Sequence, residues 1–286
     1  MRLGRADIVS STVDGPHGLL EFLTTGSGFP ATVFAHGLAS SIQTTRPFGS
    51  GVRGSRTFMH FRGHGASAVG EAPWTYASLA EDLTAVADHV GATQALGVSM
   101  GAGALCSLLA ATPGRFERLV LVLPAALDHP LSDDGLNRMV AMAQCVDKSD
   151  VERLSALLLE AEPVCARTRT DVKIWCQRQA VAMAGTPVSQ ALRALPTQAP
   201  LVERAVLGEV SAPALVIAQV QDPLHPVWVA EQIAALLPAA RLEIMGPGGL
   251  MWRHRALMRD LIGGFLSVEP VRQDTRTSQL GVRRSD

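Results

Sequence analysis

The 286-residue chain carries no block of like charge, and its 25 basic residues nearly balance 26 acidic ones. That balance argues against nucleic acid as a partner. No stretch approaches the run of about 18 apolar residues that a membrane span requires. The opening Met-Arg-Leu-Gly-Arg-Ala-Asp-Ile lacks an apolar run of signal-peptide length. The four cysteines, Cys106, Cys145, Cys165 and Cys176, have neither metal-site nor redox-motif spacing, so reduced, buried thiols are expected. No internal repeat is visible. These absences point to a soluble, cytoplasmic protein whose partner is a small molecule. Hydrophobic residues make up 47% of the chain, enough for a sizeable core.

Along the chain, strand-like and helix-like segments alternate. Ala6–Ser11 and Gly18–Thr25 flank the turn Val13-Asp14-Gly15-Pro16-His17 and predict an antiparallel hairpin. Pro30–Ala35 is a continuous apolar run, as for a strand covered on both faces, and leads into His36-Gly37-Leu38. Arg56–Phe61 reads as the next strand and ends in Arg62-Gly63-His64-Gly65. Thr75–Val90 is an amphipathic helix with Leu79, Leu83, Val86 and Val90 on one face and Glu81, Asp82 and Asp88 largely opposite. Leu119–Leu123 is another buried strand. From about Asp128 to Leu207 only helices are expected: one over Ser149–Leu159 with a Ser149/Glu152 capping box, one from Thr170 to Met183, and a short one between Pro187 and Pro196. Strands resume at Pro213–Ala218 and Arg241–Met245, with helices over Val227–Leu237 and Trp252–Leu266. This rhythm predicts an α/β protein with a mostly parallel, doubly wound sheet. The expected division is a core of residues 1–127 and 208–267, a helical insertion over 128–207, and a mobile polar tail over 268–286.

The chemistry is concentrated where Ala95–Val98, a short strand, meets a helix over Met100–Ala111. Gly97, Ser99 and Gly101 spell G-x-S-x-G there, the context in which such a serine stands exposed at a sharp turn. The Met100 amide, at the start of a helix, can donate to a developing oxyanion.

Four signals in order, His36-Gly37-Leu38, Arg62-Gly63-His64-Gly65, Gly97-Val98-Ser99-Met100-Gly101 and Asp222-Pro223, make residues 5 to 267 resemble the α/β-hydrolase superfamily. The resemblance implies an α/β-hydrolase fold whose helical insertion is a lid over the site. It also implies Ser99 as nucleophile, the Leu38 and Met100 amides as oxyanion hole, Asp222 as the acid that orients a histidine, and structural roles for His36 and His64. Asp128 is the fallback acid. No metal or organic cofactor is implied.

The chain departs from the family pattern at the histidine. Family members carry it between the last strand and last helix, where this chain has Gly246-Pro247-Gly248-Gly249-Leu250-Met251-Trp252-Arg253-His254. Three readings stand. His254, about five residues beyond the aligned Gly248 or Gly249, completes the triad; or another histidine does, His225 three residues after Asp222 or His36 near the oxyanion hole; or no base is present. A second departure is His60 where relatives place an aspartate, with a buried, hydrogen-bonded ring or a role at the site as the alternatives. The expected function is hydrolysis of a small carboxylic ester or thioester through an acyl-enzyme on Ser99. A lyase-type enzyme or a ligand-binding protein on the same fold is the alternative. Met139, Met142, Leu158, Trp175 and Met183 are candidates to line the pocket or to pack the insertion onto the core. Arg167, Arg169, Lys173 and Arg178 are read as a solvated face or as an attractor of anionic substrates. The sequence leaves the oligomeric state open.

Overall fold

The computed structural model describes residues 10–71 and 73–267. The expected strand residues Ala6 to Val9 and the expected tail lie outside that range. The described chain forms β1 (Ser11–Gly15), β2 (Gly18–Thr25), β3 (Ala31–Ala35), the short α1 (Ile42–Thr45), β4 (Ser55–Met59), α2 (Tyr76–His89), β5 (Gln94–Val98), α3 (Met100–Ala111) and β6 (Arg118–Val122). Four helices follow: α4 (Asp133–Asp147), α5 (Val151–Ala161), α6 (Thr170–Met183) and α7 (Val188–Ala194). The chain then returns to β7 (Ala214–Gln219), α8 (Val227–Leu236), β8 (Ala240–Met245) and α9 (Arg255–Leu266).

The eight strands make one sheet in the order β1-β2-β4-β3-β5-β6-β7-β8. β1 and β2 form an antiparallel hairpin and β2 runs antiparallel to β4, whereas every later pairing is parallel. The hairpin is tighter than expected. Val13 and Asp14 are strand residues paired with Leu20 and Leu19, so the turn narrows to Pro16-His17.

The central strands β3, β6 and β7 are buried almost throughout. Their alternate side chains feed two apolar layers, as the pleat dictates. Val33, Leu119, Leu121 and Val216 pack under α2, α3 and α8. Phe34, Val120, Val122 and Ile217 pack under α1 and α9.

Two helix expectations need correction. Asp82 on α2 does not face solvent. It is 1% exposed, as is Arg62, and receives Arg62 Nε at 2.8 Å and Nη2 at 2.7 Å. Burial is tolerable because the pair is bidentate and Arg62 Nη2 also donates to Ser78 O. On α5 the N-cap is Asp150, whose carboxylate accepts from the Arg153 amide, not Ser149, which has φ +53°. Of the cysteines, Cys106, Cys145 and Cys176 are buried but Cys165 is exposed.

Helices α4 to α7 pack on one another around Met142, Val146, Leu154, Leu157, Ala180 and Leu192. Leu38, Ala39 and Leu224, on the loops after β3 and β7, lie against this cluster. The all-helical segment between β6 and β7 therefore sits over the ends of the central strands. Among the described residues no helix is long and apolar enough to cross a membrane.

Candidate active site

Ser99 occupies the single residue between β5 and α3, with φ +50° and ψ −109°. A non-glycine residue in this region is strained by about 1–3 kcal/mol and persists only when its surroundings hold it. Here the Ser99 amide donates to Val122 O and its carbonyl accepts from Gly103 N. Close approach of the strand and helix demands glycine on both sides. A Cβ on Gly97 would lie 2.4 Å from Gly101 O, and one on Gly101 would lie 2.4 Å from Ala35 O.

The side chain that meets Ser99 is His225. Its Nε2 lies 3.0 Å from Ser99 Oγ, and its Nδ1 lies 2.9 Å from Asp222 Oδ1. This network assigns the proton to Nδ1, which donates to Asp222, and leaves Nε2 to accept the Ser99 hydroxyl. The same Asp222 oxygen accepts the amides of Leu224 at 2.9 Å and His225 at 3.0 Å. Aspartate thus closes a short turn on its own backbone and, three residues later, holds the imidazole that the turn presents. Burial works to raise the Asp222 pKa, but the charge of His225 and the hydrogen bonds from its ring and from the two amides hold it below the usual carboxylate value.

His254 is elsewhere. It precedes α9, and its Nε2 bonds Gly246 O at 3.0 Å. The expectation that it swings in to Ser99 therefore fails geometrically, and the turn before it shows why a histidine is not at the aligned position either. Gly249 has φ +84°, and a Cβ there would fall 2.1 Å from Trp252 Cδ1. The segment Gly249–Arg253 winds as one π-helical turn, which delays α9 to Arg255 rather than Trp252. Asp128 lies beside His129 at 2.8 Å and Arg204 at 3.5 Å, and it is Asp222 whose carboxylate bonds the His225 ring.

The amides of Leu38 and Met100 make no hydrogen bond to the protein among the described residues. The loop that carries Leu38 is held by histidines. His64 Nε2 accepts the Ala39 amide at 3.2 Å, and His60 Nε2 accepts the Ile42 amide at 3.0 Å. His36 Nε2 accepts the Phe61 amide at 3.1 Å, tying this loop to the end of β4. Each ring uses Nδ1 on an oxygen: Gly37 O for His36, Glu21 Oε2 for His60, Arg62 O for His64. Burial lowers all three pKa values, that of His64 to about 4 and that of His36 well below the ordinary value. They are neutral acceptors near pH 7, so His60 has a buried, hydrogen-bonded role.

Ser99, Asp222 and His225 open on a cavity of about 570 Å³. Met139, Met142, Leu158 and Trp175 line it, whereas Met183 packs inside the helical segment. Two polar side chains there escaped the sequence reading. Gln219, at the end of β7, is buried with its Oε1 unpartnered. Glu162 accepts the Trp252 indole N–H at 2.7 Å, and Trp252 meets Trp175 edge to face at 5.7 Å. Burial raises the Glu162 pKa, and the charge of Asp222 adds to this; the Trp252 bond and the charges of His225 and Arg167 oppose it. No periodicity marks either residue.

The family model for the alpha/beta hydrolase fold matches residues 30–251. The chain belongs to the alpha/beta hydrolase fold family. Among solved structures this hydrolase-fold chain is similar to MGS-M2, an alpha/beta hydrolase enzyme from a Medee basin deep-sea metagenome library. The TM-score is 0.76 at 15% identity, over 91% of this chain and 98% of that one. It is similar also to carboxylesterase CesB (YbfK) from Bacillus subtilis, with TM-score 0.74 at 18% identity over 92% and 93% of the two chains. The esterase EaEST from Exiguobacterium antarcticum gives 0.71 at 17% identity, covering 91% of this chain and 100% of that one. Identities this low speak to fold alone. No curated protein matches the sequence.

Proposed function

We propose that the protein is a serine hydrolase of small carboxylic esters or thioesters, with Ser99 as nucleophile, His225 as general base and Asp222 as the group that orients it. The observation that carries this reading is the unbroken chain from Ser99 Oγ through the His225 ring to Asp222 Oδ1, at 3.0 and 2.9 Å. A serine hydroxyl attacks poorly until an imidazole takes its proton, and the carboxylate keeps that imidazole in the correct tautomer and steadies its charge.

In the forward reaction Ser99 Oγ bonds to the carbonyl carbon as its proton passes to His225 Nε2. The oxyanion forms against the Leu38 and Met100 amides, each worth about 3 kcal/mol to such a transition state. His225 then returns the proton to the leaving alcohol or thiol. A water activated by the same ring releases the acid from Ser99. The Ser99 turn serves as the nucleophile elbow and the helical segment as a lid whose apolar side chains receive the acyl group. The displaced histidine of this reading is His225 rather than His254.

Labelling with a fluorophosphonate tests the reading. The wild-type protein is expected to label at Ser99, and Ser99→Ala to remain unlabelled. Equal, slow labelling of folded wild type and Ser99→Ala would overturn it.

A further inference from the structure

A second, shallower cavity of about 390 Å³ adjoins the first, and Gln43, Pro47 and Arg255 line both. Its charged residues are Arg46, Arg56 and Arg255, and no carboxylate lines it; Thr25, Gln43 and Ser50 add polar groups. The three arginines come from separate elements. Arg56 pairs with Thr25 where β4 meets β2, Arg46 directly follows α1, and Arg255 opens α9.

Three arginines line one depression, and none has an ion pair among the described residues, a property they share with Arg53, Arg118, Arg153 and others; what sets them apart is that they line one cavity with no carboxylate. Arg56 uses Nη1 on Gly49 O at 3.3 Å, while its buried Nε has no partner. Arg255 adds a second mismatch. It is a cation at the positive end of α9, whose first turn holds no acidic residue and whose N-cap makes no side-chain bond. In a chain of net charge −1, three arginines lining one cavity without a carboxylate, one of them with a buried, unpartnered Nε, point to a bound anion. Planar guanidinium forks suit the oxygens of phosphate, and three positive charges favour a dianion over a monoanion.

We propose that Arg46, Arg56 and Arg255 form a subsite for a phosphate dianion on the same molecule whose acyl part enters the cavity beside Ser99. The substrate class is thus a phosphate-bearing acyl ester or thioester. Its substrate role rests on the hydrolase reading above, whereas the binding of phosphate does not. The shared lining residues give one ligand a path between the two cavities.

Isothermal titration of the full chain with octyl phosphate, octanol, nonanoate and inorganic phosphate tests it. Octyl phosphate is expected to bind at least about tenfold tighter than each of the other three, and its margin over octanol should shrink as potassium chloride is raised. In Arg46→Gln/Arg255→Gln that margin should fall to about twofold. Arg255→Lys should retain part of it, because charge survives while the fork is lost. Nonanoate equal to octyl phosphate overturns the dianion. Inorganic phosphate equal to octyl phosphate overturns the joint occupation of both cavities. A margin untouched by the double substitution overturns the arginines. Fluorophosphonate labelling of the wild-type protein is scored separately. Labelling without a phosphate margin defeats the subsite and leaves the hydrolase, and a margin without labelling does the reverse.

Discussion

Two loops at the same end of the sheet differ in what they contribute. The loop after β7, Val220 to Pro226, holds Asp222 and His225 in one turn, with Gln221 at φ +60° and a proline at its close. The turn after β8, Gly246 to His254, holds glycines and the Trp252 indole where the family resemblance led to the expectation of a histidine. One loop therefore joins Asp222 to the His225 ring by local hydrogen bonds, while the other joins the core to the helical segment through Glu162 and Trp175. On the proposed mechanism, the contrast teaches that a role tied to one position in a family pattern is met by a neighbouring loop when its imidazole reaches the serine.

The strongest way to break the contrast is to exchange the two histidines' fates. His225→Ala is expected to lower kcat for a p-nitrophenyl ester about 10⁴-fold, the scale seen when a triad member is lost. His254→Ala should stay within about twofold, since it forfeits only a bond to Gly246 O. The reverse ranking in steady-state kinetics would return the base to the β8 turn.

That ranking also shows what could be read from the chain. The strand order of signals, the Ser99 turn and Asp222 were legible because each depends on local composition: glycines where backbones touch, apolar runs where strands are covered. The choice of histidine was not, because it depends on a contact between residues 126 apart in the chain. The spacing that put His225 among the candidates carried more weight than it was given. An aspartate followed three residues later by histidine, with Pro223 and Pro226 stiffening the loop, is an arrangement that aims the ring at its own carboxylate. Asp82 misled for the opposite reason. Helical periodicity assigns a carboxylate to the outer face, and only the distant Arg62 reverses that.

A smaller effect sharpens the account of the β8 turn. Gly249→Ala, strained at φ +84° and overlapping Trp252, should destabilise the protein by about 3 kcal/mol. The loss that Gly249→Ala adds should be smaller in a Trp252→Leu background than in the wild type in urea denaturation, and an equal added loss would show that the indole is not the obstacle.

The smallest effect concerns Glu162. Its folded pKa is raised by burial, so the folded state binds its proton more tightly than the unfolded chain. The carboxylate therefore weighs against folding once pH exceeds the folded value, and this penalty vanishes below the unfolded value near 4.5. Glu162→Gln keeps an acceptor for Trp252 and removes the charge. A slightly higher Tm at pH 7, converging with wild type as pH falls through the unfolded value, is expected; a lower Tm at pH 7 would show that the charge itself supports the junction.

With Asp222 and His225 in one short turn, Ser99 and the His225 ring are connected through β5, β6 and β7 alone. β8 lies at the sheet edge with Arg241 and Ile244 exposed, and α9 leads away from it. A displacement of that edge leaves the His225 ring in place beside Ser99, because neither residue is carried by β8 or α9. On the proposed mechanism, displacement of that edge and proton transfer at Ser99 are mechanically separate.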